Sequence, residues 1–68
     1  MVYDNVRELC LRNKISVSKL EKEVGLGNAT VRNWKKSNPT VRTLRVVADY
    51  FDVSVDDLLK EDNQNDRS

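Results

Sequence analysis

Every apolar cluster in this chain recurs at spacings of three and four residues, and no stretch alternates apolar with polar at the two-residue period of a half-buried strand. Such a pattern folds as packed helices. Val2, Val6, Leu9 and Cys10 make one stripe of a first helix, with Asn13 placed to stop it in a left-handed conformation. Ser16 is an N-cap for a second helix carrying Val17, Leu20 and Val24, and Gly25 is placed to end it. Residues 28–36 read as a third helix with Val31 and Trp34 inward. Pro39 breaks the chain, and Thr40 caps a fourth helix whose Val41, Leu44, Val47, Ala48 and Phe51 repeat at three and four. Ser54 and Asp57 form a capping box for a short fifth helix with Val55, Leu58 and Leu59. The expected fold is an all-α, compact five-helix bundle over residues 1–60, followed by a polar, disordered tail over 61–68.

Composition narrows the chemistry. The 68 residues suffice for one small domain, and 38% apolar content can fill one thin core. The absence of histidine and the single cysteine, Cys10, exclude an internal disulfide, a Cys/His zinc site and histidine-based catalysis. Gly25 and Gly27 share one turn, so no glycine-rich phosphate loop is present. No enzyme, cofactor or metal site is expected. No apolar run approaches the roughly 18 residues of a membrane span, and Asp4, Arg7 and Glu8 interrupt any signal-peptide core, so a cytoplasmic protein is expected.

The net charge of +1 conceals an asymmetry. Residues 1–48 hold ten Lys and Arg against four acids, while residues 49–68 hold two against seven. No acid lies between Glu23 and Asp49, where Arg32, Lys35, Lys36, Arg42 and Arg45 are found. A basic middle with an acidic end suits a surface that meets a polyanion.

Only a short glycine-containing turn separates the second and third helices, which is the helix-turn-helix arrangement. With Val31 and Trp34 inward, the opposite face of the third helix presents Asn28, Ala29, Arg32, Asn33 and Lys36, with neither an acid nor a large apolar residue. This set suits base edges in a major groove. Asn bonds adenine bidentately, Arg bonds guanine, and the methyl groups of Ala29 or Thr30 rest on thymine. Asn28 or Gly27 is alternatively the N-cap of this helix. Candidate phosphate contacts surround it: the N–H groups near Val17 and Val41, and the side chains of Ser16, Lys36, Ser37, Asn38, Thr40 and Arg42.

Over residues 6–59 the chain resembles the Cro and lambda-repressor type of helix-turn-helix domain, the XRE family. The resemblance rests on VSKLEKEVGLGNATVRNW, with Leu20, Gly25 and Val31 at motif positions, and on PTVRTLRVVADYFDVSVDDLL. It implies a five-helix domain that binds double-stranded operator DNA through its third helix. It also implies a homodimer on a palindrome, acting in transcription regulation, often as a repressor from a phage or bacterium. The small core leaves little surface for a strong dimer, so pairing is expected to be weak or absent in free solution. The chain departs from the family pattern in four places. Val17 replaces a phosphate-touching glutamine, and the loop before Pro39 is short. Glu21 replaces a small alanine, so either the helices cross more loosely or the carboxylate turns out toward Arg32 or Lys35. Cys10 and Lys35 stand where the family pairs an arginine with a glutamate, which leaves Cys10 buried and sends the Lys35 ammonium into water or toward a phosphate. The competing function is a protein-docking module such as a DNA-binding antitoxin, for which only Tyr3, Leu11, Val46 and Tyr50 are spare as an apolar patch.

Overall fold

The computed structural model describes residues 1–60, so the polar tail expected over 61–68 lies outside the described residues. Four α-helices form: α1 (Val2–Arg12), α2 (Val17–Glu23), α3 (Val41–Phe51) and α4 (Val55–Leu59). A 3₁₀ helix, Arg32–Lys35, lies between α2 and α3. No strand occurs among the described residues. The all-helical reading holds, but the count of five α-helices does not, because the expected third helix is shorter and differently built.

Helix starts follow the sequence. Ser16 Oγ accepts the Lys19 N–H at 3.0 Å and Thr40 Oγ1 accepts the Thr43 N–H at 3.2 Å. Ser54 and Asp57 exchange backbone and side-chain bonds in a capping box, and each such cap stabilises its helix by about 1 kcal/mol. The Ser54 N–H, and after it the Lys60 ammonium, hold the Asp57 carboxyl below its usual pKa.

Helix ends follow a single rule that the sequence only partly discloses. Lys14, Gly25 and Asp52 take left-handed φ values of 58°, 75° and 59°. At each, the left-handed residue's N–H bonds back three residues and the next N–H bonds back five, as in a Schellman motif. The residues just past these turns, Ile15, Leu26 and Val53, are thereby folded back onto the core. Asn13, expected to be the left-handed stop of α1, has φ −96° instead. Its side chain donates to the Leu9 carbonyl at 2.8 Å, and the reversal falls one residue later, at Lys14.

Val6, Cys10, Leu20, Val31, Trp34, Leu44, Val47, Ala48 and Leu58 form the core. α1 lies against α2, the 3₁₀ helix and α4, while α3 packs on α4. Asn5 ties α1 to the end of α4, its Nδ2 donating to the carbonyls of Leu58, at 2.8 Å, and Lys60. Residues 28–36 run between α2 and α3 with Asn28, Arg32, Asn33 and Lys36 exposed, and this exposed side is the front of the molecule.

Candidate nucleic-acid interface

The front is organised by a buried carboxylate. Glu21, on α2, is 2% exposed. Its Oε2 accepts the Val31 N–H at 2.8 Å and the Arg32 N–H at 3.3 Å, while Oε1 accepts the Ala29 N–H at 3.1 Å. Arg32 Nη2 completes the set, donating to Oε1 at 3.4 Å. N–H groups at the start of a helix lack intrahelical partners and carry partial positive charge, so an anion from a neighbouring element satisfies both needs. Glu21 therefore does not turn out to solvent. It turns inward and caps the next segment, reaching Arg32 at the same time.

That segment is not the nine-residue α-helix expected over 28–36. Residues 28–31 form turns, with Ala29 left-handed at φ 67°, and the 3₁₀ helix follows. Asn33 N–H reaches both the Ala29 and Thr30 carbonyls, and Ser37 N–H reaches that of Asn33, so mixed three- and four-residue bonds give roughly two turns in all. The cause is local. Leu26 packs on the core and Val31 is fully buried five residues on. The chain meets both by reversing through Ala29, whose N–H is committed to Glu21. The N-cap position of the 3₁₀ helix falls at Val31 and not at Asn28 or Gly27, and Glu21 supplies the acceptor that a capping side chain would. A left-handed alanine is strained by about 1 to 2 kcal/mol, which glycine avoids. Ala29→Gly is accordingly expected to raise stability by about 1 kcal/mol in urea unfolding, whereas a regular helix through residue 29 would make it destabilising.

The inward pair is as expected, with Val31 fully buried and Trp34 6% exposed. Of the outward set, Asn28, Arg32, Asn33 and Lys36 are exposed, and Ala29 and Thr30 are half-buried. Asn28 and Arg32 meet, Arg32 Nη2 donating to Asn28 Oδ1 at 3.3 Å. Among the candidate phosphate contacts, Lys36, Ser37, Asn38, Thr40 and Arg42 are exposed on the same stretch, and Ser16 and Val17 lie at the start of α2. The Ser37 hydroxyl is turned inward, donating to the Asn33 carbonyl at 3.3 Å. Lys36, Arg42 and Arg45 enter no ion pair among the described residues, so their charge is directed to solvent.

Cys10 is 1% exposed, as expected. Burial pushes its thiol pKa up, and the Glu21 charge adds to the shift, so it remains a neutral core group. Lys35 does not project freely into water. Its ammonium lies 5.0 Å from the centroid of the Tyr3 ring, a cation–π contact between the 3₁₀ helix and α1. Tyr3 is therefore not a spare apolar residue, and the exposed large apolar side chains are Met1, Leu11, Val41, Tyr50 and Leu59.

No group of three or more potential metal ligands occurs among the described residues, and none of their helices is long and apolar enough to cross a membrane. Two helical segments linked by a short turn, the second with one face buried and the other basic and free of acids, describe a helix-turn-helix DNA-binding domain. The family model described as the Cro/C1-type HTH DNA-binding domain matches residues 5–63, and the chain belongs to that family. Comparison with curated proteins and with solved structures gave no significant match.

Proposed function

We propose that this DNA-binding domain is a sequence-specific regulator of transcription, acting as a repressor, and that it is a binding protein with no enzymatic role. It places residues 28–36 in the major groove of double-stranded DNA. The observation that carries this reading is the division of the segment: Val31 and Trp34 are committed to the core, while Asn28, Arg32, Asn33 and Lys36 stand exposed in a stretch without acids. Arg32 and Asn33 are the principal base readers, assisted by Asn28 and by the methyl groups of Ala29 and Thr30. Lys36, Asn38, Thr40 and Arg42, with Ser16, Ser37 and the Val17 N–H, orient the domain on phosphates without specifying sequence. Two copies pair on a palindromic operator, and a domain this small leaves little surface for a tight dimer without DNA.

Replacing Arg32 or Asn33 by Ala is expected to cost about 1 to 3 kcal/mol on the preferred site and to relax preference at one base pair, with binding to random duplex nearly intact. Titration of both duplexes by fluorescence anisotropy checks this. Equal losses on the two would remove the base-reading assignment. Repression itself is tested by placing the preferred site across a promoter, where the intact protein lowers transcript output and an Arg32→Ala variant does not.

A further inference from the structure

The contacts of Arg32 say more about which base is read than the residue types alone. Its Nη2 has two acceptors, Glu21 Oε1 at 3.4 Å and Asn28 Oδ1 at 3.3 Å. Of these, Glu21 is buried and fixed by three backbone N–H groups, so it is the anchor, and Asn28 is the exposed arm. The arrangement also changes what Asn28 offers. An Asn reads adenine by accepting from N6 through Oδ1 while donating to N7 through Nδ2. Here one of the two Oδ1 lone pairs already receives a guanidinium hydrogen, so Asn28 and Arg32 together face outward with more donors than acceptors: the Asn28 Nδ2 hydrogens and those on Arg32 Nη1 and Nε, against the one remaining lone pair. Guanine presents two adjacent major-groove acceptors, N7 and O6, whereas adenine presents one acceptor beside a donor.

We propose that Glu21 is a positioning residue for base reading, which through Arg32 and Asn28 makes the front of the segment a donor unit that selects guanine over adenine. This rests on the proposed placement of residues 28–36 in the major groove. Glu21 touches no DNA in this scheme. It acts by holding the guanidinium and the backbone behind it, which are joined through one side chain.

The test compares four proteins, wild type, Glu21→Gln, Arg32→Ala and the double variant, by the ratio of affinities for duplexes carrying guanine or adenine at the contacted position. Glutamine keeps one oxygen for the Val31 N–H but sets an NH₂ group where Ala29 N–H and Arg32 Nη2 require an acceptor. Glu21→Gln is expected to lower the guanine preference about tenfold in the Arg32 background and less than about twofold in the Arg32→Ala background. A loss of affinity shared by all duplexes, with the ratio unchanged, would show a purely structural carboxylate and overturn the proposal. If Arg32→Ala itself leaves the ratio unchanged, the base-reading assignment falls and this proposal with it. Circular dichroism establishes that the variants are folded. Should Glu21→Gln not fold, nitrogen-15 spectra of the wild type decide: separate, slowly exchanging Arg32 Nη signals before DNA is added are expected, and one averaged signal would overturn the hold.

Discussion

Glu21→Ala is expected to remove nearly all of the protein's stability, leaving about half of it unfolded at room temperature. The substitution removes the acceptor of three backbone N–H groups and leaves nothing in its place. The Val31 N–H is buried, and an unsatisfied buried donor costs about 1 to 3 kcal/mol. Those of Ala29 and Arg32 are part-buried and stand at the low end of that range. Together the loss is about 4 kcal/mol, close to the roughly 3 to 5 that the core of so small a domain supplies. Alanine, which the family resemblance leads one to expect at position 21, is thus unsuited to this chain. Urea unfolding followed by circular dichroism measures the effect. A loss below about 1 kcal/mol would mean that water or a rebuilt turn satisfies these donors, and that the shape of residues 28–36 does not depend on Glu21.

The second large effect is on affinity and comes from salt. Lys36, Arg42 and Arg45 are exposed and enter no ion pair among the described residues, within a stretch that has no acid between Glu23 and Asp49. If a dimer neutralises about 6 to 10 phosphates, the logarithm of affinity falls against the logarithm of salt with a slope of about −5 to −9. Between 50 and 200 mM salt this amounts to a loss of about 10³ to 10⁵ in affinity. If Arg42 holds one phosphate per copy as proposed, Arg42→Ala is expected to make the slope shallower by about 2 while leaving sequence preference unchanged. Binding that ignores salt would contradict the electrostatic account and favour docking through apolar contacts.

Much of the architecture was legible because it is encoded within a few residues. Ser16, Thr40 and the Ser54–Asp57 pair each cap a helix three residues away. Spacing alone placed Val31, Trp34 and Cys10 in the core. The features that escaped depend on backbone groups, which carry no residue signature. Glu21 reads as a surface acid until the N–H groups of residues eight to eleven positions later are brought against it. The one available signal was a carboxylate where the family resemblance calls for alanine. Lys14 and Asp52 do the work of glycine at left-handed turns, and Ala29 does so with no polar side chain to mark it. The expected third α-helix failed for the same reason: apolar spacing at Val31 and Trp34 fixes which way a segment faces, and is silent on whether Ala29 can join a helix. Asn5 escaped because its partners, the carbonyls of Leu58 and Lys60, lie more than fifty residues away along the sequence.

Selection of bound sequences from a pool of random duplex DNA tests the central claim most directly, namely that the exposed face of residues 28–36 reads bases. The wild-type protein is expected to enrich one motif with two-fold symmetry, its half-sites about 10 base pairs apart from centre to centre or a multiple of that. The Arg32→Ala, Asn33→Ala double variant is expected to retain the pool without enriching the motif. An unenriched pool with the wild-type protein still bound, or the same motif recovered by the variant, would contradict the account.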